Sequence, residues 1–395
     1  MTAGIPETSG FTNIPVGKFG LIAMKGTEDI AARIDKYIVN WRKESALSDS
    51  PINIEGYEKD SYLIDYTAPR FATGEAKAVI NQTVRGYDIF ILVDVFNYSV
   101  TYKMYGKEVP MSPDDHYCDL KRIISAISGK ARRITVVMPM LYEGRQHRRT
   151  ARESLDCAMA LQELSSMGVD SVITFDAHDP RVGNSIPLKG MENVSPIYQM
   201  IKGLVRTSPD IRFDKEHVMV VSPDEGGMGR AIRYASALGV ELGMFYKRRD
   251  YSKIVDGRNP ILAHEFLGSN VEGKNVIVVD DMISSGESML EVAGKLKSLG
   301  ANKIYVCCAF GLFCNGLEIF DKAYEEGRIE KILTTNLIYR TPGLAEREWF
   351  EEIDMSKYIA FIVDAINHDA SIGPLLDPSA KIQRILKKHN EQLDK

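Results

Sequence analysis

Runs of consecutive β-branched and apolar residues with no polar alternation recur along this chain, each set off by an amphipathic stretch. A strand with one wet face alternates; runs such as Ile89–Val93 and Val276–Val279 do not, so they must be covered on both sides. Candidate strands are Tyr87–Phe96, Arg133–Met140, Ser171–Asp176, His217–Ser222, Leu242–Lys247, Lys274–Asp280, Lys303–Phe310 and Lys331–Asn336. Candidate helices are Ala151–Met167, Gly229–Leu238, Ser288–Leu299 and Leu317–Glu326. Strand, helix, strand with short Gly-containing connections gives parallel sheets joined by right-handed crossovers. The fold class is α/β.

At 395 residues and about 150 residues per domain, two or three domains are expected. With 44% hydrophobic and 26% charged residues, disorder as the dominant state is excluded, because there is ample apolar surface to bury. The apolar runs are strand-length, far short of the roughly 20 residues of a membrane helix. The N-terminal stretch has neither the basic flank nor the apolar core of a secretion signal. A net charge of −5, from 49 basic and 54 acidic residues, argues against non-specific nucleic-acid binding. Five cysteines, odd in number and without metal-ligand spacing, read as small apolar residues in a reducing cytoplasm.

A weak internal repeat aligns Leu161–His178 with Ala293–Phe310: a helix, a Gly at its C-terminal stop, a short polar turn, then a buried strand. Any βαβ unit has this form. Two segments fit the alternation poorly. Met1–Ser50 offers only a surface helix, Asp29–Ser45, and Met104–Asp115 reads as a turn-rich excursion.

The stretch Asn275–Met289 carries the chemistry. Four consecutive β-formers end in Asp280 and Asp281, followed by small residues and a helical pattern. A buried strand ending in a Ser/Gly turn at a helix N-terminus directs backbone N–H groups outward, a site for a phosphate dianion. Ser284, Ser285 and Ser288 add hydroxyl donors, and Gly286 permits close backbone approach. The paired carboxylates sit where sugar hydroxyls would lie if the 5-phosphate were in the loop. Two other glycine-rich stretches are loops. Gly268–Asn275 has P-loop spacing but ends in Asn and runs into a strand, and Gly226–Ala231 lacks dinucleotide spacing.

This stretch resembles the signature of proteins that bind phosphoribosyl pyrophosphate or ribose 5-phosphate on a type I phosphoribosyltransferase fold. Further segments, in order from about Phe71 to Asn336, resemble the ribose-phosphate pyrophosphokinase family. They are RFATGEAKAVINQTVRGYDIFIL, RRITVVMPMLYEGRQHRRTARES, ITFDAH, VVSPDEGGMGRA and MFYKRRDYSKIV. The resemblance implies transfer of a pyrophosphoryl group from MgATP to the anomeric hydroxyl of ribose 5-phosphate. It implies that Phe71 and Glu75 reach the adenine of ATP on a neighbouring subunit, and that Arg145 and Gln146 contact ATP. His178 and Asp224 would contact Mg²⁺. Asp280, Asp281, Ser284, Ser285, Gly286, Glu287 and Ser288 would hold ribose 5-phosphate. Lys247 and Arg249 would stabilise the transferring group, with Asp250–Pro260 a polar stretch suited to a mobile lid.

The resemblance further implies two tandem phosphoribosyltransferase-like domains, each a mostly parallel sheet flanked by helices. They would span residues 1–192 and 193–377, with a C-terminal helix within 378–395 packed on the first. It also implies a homo-oligomer, dimer to hexamer, without membrane or nucleic-acid partners. Departures from the family pattern are Ser284-Ser285 and Glu287-Ser288 in the ribose loop, and His147 and Thr150 where acidic residues are usual. The altered loop leaves open a non-catalytic regulatory paralogue, and ISSGES leaves open a nucleobase phosphoribosyltransferase.

Overall fold

Five short strands, all but the last with mostly buried side chains, build the first of two large sheets: β1 (Lys18–Ala23), β2 (Tyr87–Leu92), β3 (Arg133–Val137), β4 (Ser171–Phe175) and β5 (Gly190–Val194). They lie in chain order and all pair parallel. The structure is a computed structural model that describes residues 11, 13–47, 52, 54–249 and 261–394. It divides into two units. One comprises 1–195, 336–339 and 354–376; the other comprises 196–335, 340–353 and 377–395.

In the first unit, side chains of successive β2 residues go to opposite faces. Ile89, Ile91 and Val93 pack with Leu120 and Ile123 of helix Pro113–Ile127 and with Leu161 and Leu164 of helix Asp156–Ser166. On the other face Phe90 stacks on Phe19 of β1 at 5.0 Å. Helix Glu28–Ala46 covers that face and meets the returning helix Ser356–Asn367, where Trp41 lies edge-on to Phe361 at 6.3 Å.

A buried polar network fixes this second layer. Arg42, 1% exposed, donates from Nη2 to Asp364 Oδ1 and to Asn367 Oδ1, both at 2.8 Å. Its guanidinium lies 4.6 Å from the Tyr57 ring centre and 4.8 Å from that of Tyr62. Asn367 Nδ2 donates to Asp88 Oδ2 at 2.9 Å, and Arg133 holds both oxygens of the same carboxylate.

Segment 336–339 also belongs to this unit, and the Tyr339 N–H donates to Asp94 at 2.6 Å while the Phe96 N–H donates at 3.0 Å. Burial pushes the Asp94 carboxyl up to about 6 against those two donors. The folded chain therefore holds the proton more tightly than the unfolded chain. That contribution is fully present below about pH 4 and is lost as pH rises through about 6. We expect urea unfolding to show wild-type stability falling by about 2 kcal/mol relative to Asp94→Asn between pH 4 and 6.5. Parallel curves for the two proteins would refute this.

In the second unit seven strands, β6 (Val218–Ser222), β7 (Glu241–Arg249), β8 (Ile261–Leu267), β9 (Asn275–Ile283), β10 (Ile304–Gly311), β11 (Lys331–Thr335) and β12 (Phe350–Ile353), run in the order β8-β7-β6-β9-β10-β11-β12. Only β8 is antiparallel to its neighbour. Val276 and Val278 of β9 pack with Val292 and Leu296 of helix Glu287–Ser298, and with Phe320 and Trp349. The repeat has its structural counterpart: each helix stops at a left-handed glycine, Gly168 (φ +91°) or Gly300 (φ +87°), before a buried strand.

Several expectations are corrected. Where only a surface helix was expected, Lys18–Ala23 is a strand of the first sheet, and the helix that follows carries buried Ile34, Ile38 and Trp41. The excursion is a hairpin, Thr101–Met104 with Lys107–Pro110, followed by a helix begun by a Ser112/Asp115 capping box. The helix expected from Ala151 starts at Asp156, because residues 150–154 turn on themselves through Thr150 and Glu153. The expected single domain boundary is replaced by a chain that returns twice. The helix packed on the first unit is Ser356–Asn367, apolar nearly all round. The final helix, Ser379–Leu393, stays with the second unit, where Gln383 donates to Ala237 O at 2.8 Å and the His389 imidazole bonds Ile211 O at 2.8 Å.

Candidate active site

The second sheet reverses its winding between β6 and β9. From β6 the chain crosses to β7 on one side, while from β9 it proceeds to β10 on the other. Connections then leave in opposite directions and open a crevice beyond the carboxyl ends of these two strands. Asp224 follows β6, and Asp280 and Asp281 lie in the last turns of β9. The Asp224 loop is tightened by Gly227 N–H donating to Asp224 Oδ1 at 3.1 Å and by Ser222 Oγ donating to Asp224 O at 2.6 Å.

Strand β9 runs on to Ile283, so the turn itself is Ser284–Gly286, and Glu287 and Ser288 open the helix. Gly286 has φ +87°, and a Cβ there would come 2.0 Å from Phe320 Cζ. Only glycine fits. The backbone N–H groups of a helix's first turn have no partners within the helix and carry its positive pole. Glu287 and Ser288 are exposed, and Ser284 Oγ lies 3.7 Å from Cys314 Sγ.

Between the carboxylates sits a cation that sequence reasoning missed. Arg230, 7% exposed, stands on helix Met228–Leu238 with Nη1 3.5 Å from Asp280 Oδ1 and 4.0 Å from Asp281 Oδ1. Burial, then the charge of Asp281, drives the Asp280 carboxyl well above the ordinary carboxylate range, and Arg230 opposes them. The signal was an Arg directly after Gly226–Gly229 in the segment VVSPDEGGMGRA, one turn into a helix that starts at the crevice.

The first unit carries Phe71, Glu75, Arg145, Gln146 and His178. Phe71 is 52% exposed on a turn in which its N–H donates to Glu75 O at 2.8 Å. The Thr101–Pro110 hairpin braces that turn: Tyr105 N–H donates to Ala72 O at 2.8 Å, and a Cβ on Gly74 would strike Met104 Sδ at 2.8 Å. Gln146 Nε2 donates to Ser154 O at 2.8 Å, and Arg145 is exposed. His178 follows β4 after Asp176, a non-glycine residue at φ +40°. Its ring centre is 5.5 Å from that of His147. Lys247 and Arg249 lie at the end of β7, but their side chains, like all of Asp250–Pro260, are outside the described residues. Among the described residues no three His, Cys, Asp or Glu side chains converge as a metal site, and no helix is long and apolar enough to cross a membrane.

Residues 19–168 match the family model for the N-terminal domain of ribose phosphate pyrophosphokinase, and residues 191–334 match that for the phosphoribosyl transferase domain. A ribose-phosphate pyrophosphokinase of Ralstonia nicotianae is 30% identical over 264 residues, 65% of this chain and 74% of that one. The chain belongs to the ribose-phosphate pyrophosphokinase family. A pyrophosphokinase of Vibrio cholerae is 26% identical over 321 residues, covering 80% of this chain and 92% of that protein. The phosphoribosylpyrophosphate synthetase of Mycobacterium smegmatis has the same fold, with a TM-score of 0.69 at 20% identity over 89% of this chain and all of that one. The pyrophosphokinase match starts at residue 19, so it takes in β1 and the helix after it, well before Phe71.

Proposed function

We propose that this protein transfers the pyrophosphoryl group of ATP to the 1-hydroxyl of ribose 5-phosphate, giving phosphoribosyl pyrophosphate and AMP. The sugar hydroxyl attacks the β-phosphorus, the bond from that phosphorus to the oxygen of the α-phosphate breaks, and the hydroxyl proton is released. The observation that carries the reading is the β9 turn, with paired aspartates leading into a helix N-terminus at the winding reversal.

In this reading the N–H groups around Gly286–Ser288, with Ser284, Ser285 and Ser288 hydroxyls, take the 5-phosphate, and exposed Glu287 turns to solvent. Asp280 and Asp281 accept from ribose hydroxyls, with Arg230 holding both carboxylates in place. Phe71 and Glu75 recognise adenine, and Arg145 and Gln146 contact the nucleotide. Lys247 and Arg249 neutralise charge on the transferring group. His178 and Asp224 are the residues that would meet Mg²⁺, whose charge screens the polyphosphate. One imidazole and one carboxylate leave most positions to water and phosphate oxygens, as Mg²⁺ ordinarily requires. The exposed Phe71 turn supports a homo-oligomer in which it serves another subunit, and five free thiols support a reducing cytoplasm.

The test is AMP formation from ATP and ribose 5-phosphate with Mg²⁺. Turnover at about 1 s⁻¹ or faster supports the proposal. No AMP across a range of phosphate concentrations would favour a regulatory paralogue, which the Ser-rich ribose loop suggests. Consumption of phosphoribosyl pyrophosphate with a free base would favour a nucleobase phosphoribosyltransferase.

A further inference from the structure

The Thr101–Pro110 hairpin carries a strained residue at its tip. Met104 pairs with Lys107, so Tyr105 and Gly106 form a two-residue turn, and both have positive φ, +48° and +76°. Turns of this kind favour Asn, Asp or Gly at the first position, where a bulky side chain is an outlier. Tyr105 is 78% exposed and so recovers little of that cost by burial. A ring kept in solvent on an unfavourable backbone conformation is held there for something other than stability.

The tip is also fixed in place. The Tyr105 N–H donates to Ala72 O at 2.8 Å, beside Phe71, which is itself 52% exposed. Behind them the Arg70 guanidinium lies 4.4 Å from the Tyr102 ring centre and donates to Asp119 Oδ2 at 2.8 Å. Two exposed aromatic residues therefore stand side by side on a braced edge of the first unit. We propose that Tyr105 is a second aromatic contact for the adenine ring that Phe71 receives. An aromatic side chain offers a large, rigid face at little cost in conformational entropy. A base stacked on one is held about tenfold or more tighter than without it. The hairpin lies outside the five stretches that carry the family resemblance. Phe71 as an adenine contact comes from the proposed function, on which this assignment rests.

The experiment is calorimetric titration of the full-length protein with MgATP, without ribose 5-phosphate, so that nucleotide binding is read apart from turnover. Tyr105→Asn removes the ring while supplying a residue that the turn prefers. It should raise Tm and yet weaken ATP binding by about tenfold or more, with KM for ribose 5-phosphate unchanged. A merely structural Tyr105 would not give effects of opposite sign. Tyr105→Phe keeps the ring and should bind ATP as the native protein does. Native ATP affinity in Tyr105→Asn overturns this assignment; where Phe71→Ala alone loses binding, the proposed function still stands. No ATP binding by the native protein overturns both. Should Tyr105→Asn fail to fold, irradiation of the native protein with 2-azido-ATP decides. Label on Tyr105 upholds the contact, and label only elsewhere refutes it.

Discussion

Gly286→Ala is expected to lower kcat/KM for ribose 5-phosphate by about 100-fold or more, the scale of loss when a reacting group is misplaced by about 1 Å. The new methyl would fall 2.0 Å from Phe320 Cζ, and Phe320 is fully buried and stacked on Trp349 at 5.6 Å. The ring has nowhere to go, so the turn must move, and φ +87° is itself unfavourable for alanine. The combined cost to folding is about 2–4 kcal/mol. Gly294→Ala in the interior of the same helix is the control. Its Cβ would meet only Arg328 Cδ at 3.9 Å, so a gain of about 0.5–1 kcal/mol with unchanged kinetics is expected. Steady-state kinetics and chemical unfolding of the two variants check this; equal kinetics in both would show that the turn does not hold the pentose phosphate.

The second large effect concerns stability. Arg42→Met should destabilise the first unit by about 3–5 kcal/mol, because it leaves the Asp364 carboxylate buried at 0% exposure without its cation. The double variant Arg42→Met/Asp364→Leu should recover most of that loss, since two apolar side chains need no solvation. The chain has two tryptophans, Trp41 in the first unit and Trp349 in the second. Trp41 fluorescence in a Trp349→Phe background therefore reports the relevant transition in urea. A double variant no more stable than the single one would mean that packing, not charge, is what Arg42 supplies.

The sheets were legible in the sequence because their strands are covered on both faces and so contain unbroken Val and Ile. What escaped did so for physical reasons. β1 is a six-residue edge strand interrupted by Gly20, and β5 (GMENV) is a polar edge strand, as edges exposed to water tend to be. The capping box at Ser112–Asp115 was present in the sequence but looks like a turn until the helix after it is seen. At the site, the paired aspartates and their small-residue turn are consecutive, so the chain itself displays them together. Arg230 is 50 residues from Asp280, and His147 lies far in sequence from Asp179. Pairings of that kind are made by the crossovers and leave no local pattern.

The returning helix has a consequence for how the chain comes into being. Arg42 and Asp364 are 322 residues apart. At about 5–20 residues per second, a ribosome delivers the acid roughly 16–64 s after the base. Throughout that interval Arg42 has no Asp364 to pair with, so the buried ion pair of the folded chain cannot yet form. The second layer of the first unit is therefore completed only by a polypeptide translated beyond its second returning segment.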